Sequence, residues 1–323
     1  MDPQLTKRIL DSTNSTTIER VEVIQSLWSG YGELKRYFLA GGKHATVIVK
    51  HIQMPETAHH PRGWNTELSH QRKLKSYQVE AHWYQAYATK TTQACKVPAI
   101  YHVLQQESEL LLIMEDLDAH GFALRHQPES VTLEVAKNCL SWLANFHATF
   151  MGHTAEGLWS VGTYWHLATR PDEWKQMKNA DLKKAASAID GQLNTGNFKT
   201  LVHGDAKLAN FCFSEDGKVA AVDFQYVGQG CGMKDVAYLI SSCFTEEASE
   251  KYEEELLAHY FNELQIALDN TFDFQLVKEE WERLYPYAWA DFYRFLDGLS
   301  PGHWKMHGYS KRLTKKVLDE LDI

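Results

Sequence analysis

"LVHGDAKLANFCF", residues 201–213, places three polar side chains, those of Asp205, Lys207 and Asn210, between two apolar runs. A second apolar run, in "KVAAVDFQYVG" (218–228), ends at Asp223. Burying an unpaired polar group costs free energy, so such side chains persist beside strands when they bind or react with something. The two stretches therefore predict a polar site where short strands end.

The spacing of these residues matches the chemistry of phosphoryl transfer. In D-x-x-x-x-N, the kinase catalytic loop, the Asp orients or deprotonates the acceptor hydroxyl and the Asn binds a metal ion. A later Asp on a strand end completes the Mg²⁺ site, because Mg²⁺ prefers oxygen ligands. We therefore expect Asp205 to be the catalytic base and Asn210 and Asp223 to hold Mg²⁺. Lys207 is expected near the transferred phosphoryl group, where its charge offsets the developing negative charge.

Two residues beside this motif are interpreted as structural. His203 precedes the turn and is expected to hold it by hydrogen bonds. Asp235 opens a predicted helix, a position that favours a carboxylate, and is expected to accept hydrogen bonds from the backbone of the catalytic loop.

The first third of the chain is rich in β-branched and aromatic residues separated by glycine-containing turns, which predicts antiparallel strands. Lys50 ends "VIVK" on the third strand, and Glu80 lies in the helix that follows. In kinases a Lys and a Glu at these places pair, and the Lys reaches the ATP phosphates. The predicted strands are 20–28, 34–40, 44–53, 97–104 and 109–115, and the predicted helix is 70–88.

Two further segments are predicted to contact the nucleotide through their backbone. The turn "WSGYG" (28–32) would place N–H groups of Ser29, Gly30 and Gly32 over the phosphates. The segment "MEDL" (114–117) would join the lobes and offer backbone groups of Glu115 and Leu117 to an adenine.

Beyond residue 120 the pattern changes to long amphipathic segments, which predict helices. The fold class that follows is α+β: a two-lobed, protein-kinase-like fold with an antiparallel sheet and one main helix, then a mostly helical lobe. We place the nucleotide-binding lobe at 1–117 and the catalytic and acceptor-binding lobe at 118–323. The predicted helices are 132–150, 247–268, 276–297 and 309–321.

Composition limits the other roles of the chain. A formal net charge of −9 over 323 residues argues against nucleic acid as a partner. The apolar run "LLLIM" (110–114) is too short to span a bilayer. Five scattered cysteines without a C-x-x-C pair indicate neither a disulfide framework nor a zinc site, so we expect a cytoplasmic protein.

Taken together, "HGDAKLAN" (203–210) and "VDFQYVGQGCGMKDVAYLI" (222–240) resemble the small-molecule kinases of the protein-kinase-like superfamily. This superfamily includes aminoglycoside phosphotransferases, choline kinases and ecdysteroid-kinase-like proteins. The "DFQ" followed by a glycine stretch and "KDVAYL" looks closest to the ecdysteroid-kinase-like branch. The resemblance covers about residues 20 to 300 and implies ATP- and Mg²⁺-dependent phosphorylation of a small-molecule hydroxyl.

Two alternatives stay open at this point. A protein kinase shares the lysine at 207, although the chain has no "APE"-like segment after Asp223. A pseudokinase would bind nucleotide without turnover.

The acceptor is not named by the sequence, and neither is the oligomeric state. Aromatic residues are predicted either to form core or to wall an acceptor pocket in which Asp291 would meet a cation; they are Trp159, Tyr164, Trp165 and the stripe over 281–293.

Overall fold

A computed structural model describes residues 2–27, 30–53, 67–106 and 108–323. The N-terminal part contains a five-stranded antiparallel sheet in the order β1-β2-β3-β5-β4. Its strands are β1 (Thr17–Ser26), β2 (Gly32–Ala40), β3 (Thr46–Gln53), β4 (Ile100–Gln105) and β5 (Glu109–Glu115).

Each face of this sheet packs against one helix. The first, α1 (Pro3–Thr13), buries Leu5 and Ile9 in a cluster with residues of β2, β3 and β5. It starts at Asp2, whose side chain accepts a hydrogen bond from the backbone N–H of Gln4. The sequence analysis did not predict this helix. The second, α2 (Glu67–Ala86), is the predicted main helix and faces the rest of the molecule.

The remainder of the described chain is mostly helical, which confirms the predicted fold class. Two short antiparallel strand pairs frame the polar motifs quoted first: β6 (Thr200–Val202) pairs with β9 (Gly228–Gly230), and β7 (Phe211–Phe213) forms a hairpin with β8 (Val219–Ala221). The helices are α3 (Leu133–Thr149), α4 (Pro171–Gln176), α5 (Ala180–Asn194), α6 (Met233–Cys243), α7 (Glu246–Ala267), α8 (Phe274–Leu299) and α9 (Gly308–Glu320).

Helices α4 and α5 were not predicted, whereas α3, α7, α8 and α9 lie where the apolar periodicity placed them. The sheet ends at Glu115 and α3 starts at Leu133. The division at residues 1–117 and 118–323 stays a prediction. In the described ranges, the chain contains no helix with both the length and the apolar character to cross a membrane.

A continuous apolar core joins α2 to the helical part of the chain. Its centre is Trp83, which is fully buried and stacks on Phe224 with ring centroids 4.6 Å apart. The same indole contacts Phe146 and Phe150 of the α3 segment at 5.6 and 5.3 Å. Burial of such large aromatic surfaces is a major stabilising contribution. Helix α2 is therefore fixed to both the sheet and the helical lobe.

Candidate active site

The buried ion pair between Lys50 and Glu80 forms one wall of the cleft between the lobes. Lys50 lies in β3 opposite Leu112 of β5, and its Nζ lies 2.9 and 2.7 Å from Glu80 Oε1 and Oε2. The same ammonium lies 3.4 Å from Asp223 Oδ1. Burial acts to lower the pKa of Lys50, but the charges of Glu80 and Asp223 raise it above its usual value. Lys50 and Glu80 therefore pair as the sequence pattern predicted, and contact of Lys50 with ATP phosphates stays a prediction.

The predicted catalytic loop, residues 203–210, needs glycine at its turn. Gly204 has φ +78°, and a Cβ there would lie 2.1 Å from the carbonyl oxygen of Tyr226. The turn is held by Asp235, which accepts hydrogen bonds from the backbone N–H groups of His203 at 2.6 Å and Gly204 at 3.0 Å. His203 Nδ1 accepts from the N–H of Asp205, so Nε2 donates to the carbonyl of Val222 at 3.0 Å. These are the hydrogen bonds that the sequence analysis predicted for His203 and Asp235.

The side chains of Lys207 and Asn210 both contact the carboxylate of Asp205. Asn210 Nδ2 donates to the carbonyl oxygen of Asp205 at 2.7 Å and to its Oδ2 at 3.1 Å, and Lys207 Nζ lies 3.2 Å from the same Oδ2. Asp205 Oδ1 is buried without a hydrogen-bond partner of ordinary geometry among the described residues. Burial raises the pKa of Asp205, and the Lys207 charge opposes this. Lys207 and Asn210 thus both contact Asp205, as their spacing predicted, and the role of Asp205 as the base stays a prediction.

Asp223 is braced by a chain of polar contacts that the sequence did not predict. Its backbone has φ +70°, and the side-chain amide of Gln225 donates to Asp223 Oδ1. Lys73 of α2 donates to Gln225 Oε1 at 2.8 Å, and burial lowers the pKa of Lys73 to about 8. Burial also acts to raise the pKa of Asp223, but Lys50, Lys73 and Lys207 together lower it below its usual value. The ionised form of Asp223 is therefore favoured, which suits a metal ligand, and the metal role of Asp223 stays a prediction.

The donor set fits Mg²⁺. Because Asn210 Nδ2 is committed to Asp205, the Oδ1 of Asn210 is the oxygen left for a cation, beside the carboxylate of Asp223. Within the described ranges, no group of three or more His, Cys, Asp or Glu side chains can hold a metal ion. A metal at Asn210 and Asp223 would consequently depend on phosphate oxygens for its remaining ligands, which is how Mg²⁺ usually binds with nucleotides.

Glu115 and Leu117, which are predicted to contact the adenine, line the cleft where the sheet connects to the helical lobe. The Glu115 carboxylate is paired with Lys96, with both N···O distances 3.0 Å, and the backbone N–H of Glu115 donates to the carbonyl of Ala99 at 2.8 Å. Contact of its backbone with an adenine stays a prediction. Arg36 of β2 reaches across to Asp116, with Nε 2.6 Å from Oδ2, and to Asp118. Apolar side chains complete this end of the cleft: Leu27, Leu34, Ile48, Met114 and Val222.

The glycine turn between β1 and β2 is described only in part, and Ser29 lies outside the described residues. The N–H of Gly30 donates to the carbonyl of Leu27 at 3.2 Å. Gly32 has φ +153°, and a Cβ there would lie 2.0 Å from the carbonyl oxygen of His51. The close approach of β2 and β3 therefore explains Gly32, while Tyr31, between the glycines, lines the cleft. Phosphate contacts by Ser29, Gly30 and Gly32 stay a prediction.

The cleft, about 900 Å³ in volume, continues past Asp205. Its far end is lined by Arg72, Tyr164, Arg170, Glu173, Tyr226, Phe295 and Leu299. Of the residues predicted to form an acceptor wall, Tyr164 lies here, but Trp165 and Asp291 are buried and bonded to each other, with Trp165 Nε1 2.9 Å from Asp291 Oδ2. Arg294 neutralises the same carboxylate, with Nε 2.9 Å from Oδ1. The expectation that Asp291 could meet a substrate cation is therefore wrong.

A two-lobed fold with these side chains in its cleft defines a kinase-like phosphotransferase. Residues 23–274 match the model of the phosphotransferase enzyme family, APH, and the chain belongs to this family. None of the curated proteins matches it. The chain is a small-molecule kinase, an enzyme that phosphorylates a hydroxyl of a small-molecule acceptor with a phosphoryl group from a nucleotide.

Solved structures share the fold at low sequence identity. The choline kinase LicA from Streptococcus pneumoniae is 13% identical with a TM-score of 0.54, covering 100% of this chain and 99% of that chain. The aminoglycoside phosphotransferase APH(4)-Ia, in a ternary complex with ADP and hygromycin B, is 10% identical with a TM-score of 0.54, covering 98% of each chain. The microcompartment-associated aminopropanol kinase is 14% identical with a TM-score of 0.52, covering 98% and 94%. The superfamily is confirmed, and the ecdysteroid-kinase-like branch stays a prediction.

Proposed function

We propose that this chain binds ATP with Mg²⁺ between its lobes and transfers the terminal phosphoryl group to an alcohol that enters beside Asp205. One observation carries the proposal: side chains from β3, α2, the catalytic loop and the segment after β8 converge in one cleft. Lys50 lies within 3.4 Å of Asp223 and Asn210 within 3.1 Å of Asp205. The neighbouring structure that contains ADP has the same fold.

On the nucleotide side, Lys50, fixed by Glu80, would hold the phosphate tail. Asp223 and the Oδ1 of Asn210 would bind Mg²⁺, which neutralises charge on the phosphates when it is bound. The backbone of Glu115 and Leu117 would meet the base.

On the acceptor side, the carboxylate of Asp205 would accept the proton of the attacking hydroxyl. The raised pKa of Asp205, caused by burial, makes this carboxylate a better base than an exposed one. Lys207, 3.2 Å from Asp205 Oδ2, would lie close to the phosphoryl group as it moves and would offset its charge.

The two alternative functions have less support. Membership of a phosphotransferase family disfavours a scaffolding pseudokinase, and so does the presence in one cleft of Lys50, Asp205 and Asp223, the residues to which the chemistry is assigned. The acceptor end of the cleft is confined by side chains of α4 and α8, which suits a small molecule better than a protein segment. We place the enzyme in the cytoplasm, because all five cysteines are free and buried, and we propose no nucleic-acid partner, given the net charge of −9.

The test is Asp205→Asn, compared with Asp216→Asn. Asp216 lies in the turn between β7 and β8 and is exposed, so the control makes the same chemical change away from the cleft. Loss of a positioned base lowers kcat by about 10²–10⁴-fold. We expect this loss in Asp205→Asn, with an unchanged Kd for ATP measured by calorimetry, and unchanged kinetics in Asp216→Asn. A near-wild-type kcat in Asp205→Asn would refute the assignment.

A further inference from the structure

Two arginines from different lobes meet at the acceptor end of the cleft. Arg72 of α2 donates from Nη1 to the carbonyl of Thr169 at 2.8 Å. Arg170, just before α4, donates from Nε to the carbonyl of Tyr164. Because both guanidinium groups are anchored on backbone oxygens, they are held in place before any ligand arrives.

Of the two guanidinium groups, Arg170 has an ion pair among the described residues and Arg72 has none. Arg170 Nη1 lies 3.1 Å from Oε1 of Glu173, whose side chain is only 3% exposed. Arg72 has no ion pair with a carboxylate among the described residues; its polar contacts there are Thr169 and Ser69. Burial and the neighbouring charge of Arg170 lower the pKa of Arg72. Glu173 and Asp172 act on the charge of Arg72 through space but form no ion pair with it, so an anion that contacts Arg72 directly would be stabilised further.

Arg36 and Arg125, which also line the cleft, pair with Asp116 and Asp118, and the three lysines of the cleft have local polar partners. Lys50 pairs with Glu80, Lys73 donates to Gln225, and Lys207 pairs with Asp205. These three belong to the predicted nucleotide and phosphoryl positions. Arg72 and Arg170 instead lie beside Thr169 and Glu173, at the end away from Glu115 and Leu117, where only the acceptor remains to be placed.

Aromatic rings define the rest of this end. The Arg170 guanidinium carbon lies 5.7 Å from the ring centroid of Tyr164 and 5.4 Å from that of Phe295. Tyr226 lines the same space, and its ring centroid is 5.8 Å from that of Tyr164. Such walls suit an apolar or flat molecular body, and a guanidinium pair suits a carboxylate, which it can bind through parallel hydrogen bonds.

We propose that the acceptor is a hydroxy acid: its carboxylate binds Arg72 and Arg170 while its hydroxyl reaches Asp205. This inference rests on the proposed function of the same cleft and adds the chemical class of its substrate. It replaces the cationic acceptor that Asp291 would have served.

The same two arginines would also tie α2 to the helical lobe, so a purely structural role must be separable from recognition. A structural role predicts that Arg72→Gln weakens turnover of every acceptor alike. A recognition role predicts that the loss depends on the charge of the acceptor.

The experiment uses matched acceptors that differ only in charge. A panel of primary alcohols is prepared, each as a carboxylate, an amide and a trimethylammonium compound, with 4-(hydroxymethyl)benzoate and its amide as one set. We expect wild-type kcat/KM to be about 10–100-fold higher for the carboxylate than for the amide, the range for charge-assisted hydrogen bonds. Arg72→Gln should remove most of this ratio, Arg72→Lys should keep part of it, and neither should change the KM for ATP.

Arg283→Gln is the control, because Arg283 is exposed on α8 and bonds to Gln192. Amides or ammonium compounds preferred over carboxylates, or an equal loss for all acceptors in Arg72→Gln, would overturn the proposal while leaving the proposed function intact. If no compound gives Asp205-dependent turnover, the proposed function fails. Calorimetry with the benzoate and its amide on the enzyme loaded with ADP and Mg²⁺ then decides this proposal alone: equal or absent binding of the two overturns it.

Discussion

Asp235→Asn tests how the catalytic loop is held. The carboxylate is fully buried and accepts from His203 N at 2.6 Å, Gly204 N at 3.0 Å and His147 Nε2 at 3.2 Å. An asparagine keeps one accepting oxygen but turns an amide N–H₂ toward a remaining donor, and it removes the negative charge. A charge-assisted hydrogen bond contributes about 1.5–3 kcal/mol, and a buried donor left unpaired costs about 1–3 kcal/mol. We therefore expect a loss of roughly 2–4 kcal/mol in the free energy of unfolding.

The assay is urea unfolding, followed by steady-state kinetics under conditions where the variant remains folded. Since the loop carries Asp205, a loosened loop should also lower kcat. Asp297→Asn is the matched control: Asp297 is buried and accepts from the backbone N–H groups of Lys178 at 2.7 Å and Asn179 at 2.9 Å. It should lose stability with little change in kcat. Wild-type stability in Asp235→Asn, or equal kcat changes in the two variants, would refute this account.

Three further predictions follow from the same geometry. Asp223→Ala should weaken Mg²⁺-dependent nucleotide binding and turnover together; ATP titrations with and without Mg²⁺ measure this, and an unchanged Mg²⁺ dependence would place the metal elsewhere. Gly204→Ala should lower the free energy of unfolding by at least about 1–3 kcal/mol, because Gly204 has a positive φ and a Cβ there would meet the carbonyl oxygen of Tyr226. Gly191 in α5 has open space around it, so Gly191→Ala should raise the free energy of unfolding by about 0.5–1 kcal/mol. Thermal or urea unfolding measures both. At pH 8, Lys73, whose pKa is about 8, is about half protonated, and negative phosphates that bind nearby raise this pKa, so binding should take up to about half a proton. Calorimetry in two buffers should show this proton uptake in the wild type. Uptake that persists in Lys73→Met would contradict the assignment.

The catalytic loop could be predicted because its chemistry is local. Asp205 and Asn210 are separated by one tight turn, and Asp223 follows on the next short strand pair, so their spacing alone brings them together. Lys50 and Glu80 were predictable only through the order of strands and helix that places them. The pairing of β3 with β5 fixes the position of Lys50, and its hydrogen bonds with Glu80 of α2 follow from that order.

Other features could not be read from the chain. Arg72 and Arg170 come from different lobes, and no periodicity links them; only tertiary packing makes them neighbours. Asp291 was misplaced because an aromatic helix face is equally apolar in a core and in a pocket wall. Arg294, three residues later on the same helix, was the available signal that this carboxylate is already paired. Helix α1 had a capping signal in Asp2 and Pro3, but its stability depends on packing against a sheet that local sequence does not reveal.

The burial of Trp83 has a consequence for control of the enzyme. In protein kinases, the helix that carries the glutamate must be in place for activity, and its position is a control point. Here that helix, α2, cannot move away without unstacking Trp83 from Phe224 and exposing its contacts with α3. Truncating a buried Trp costs about 3–5 kcal/mol, which gives the scale of such a separation. The packing that fixes α2 therefore also holds Glu80 beside Lys50, so separating this ion pair by a movement of the helix would cost free energy on that scale.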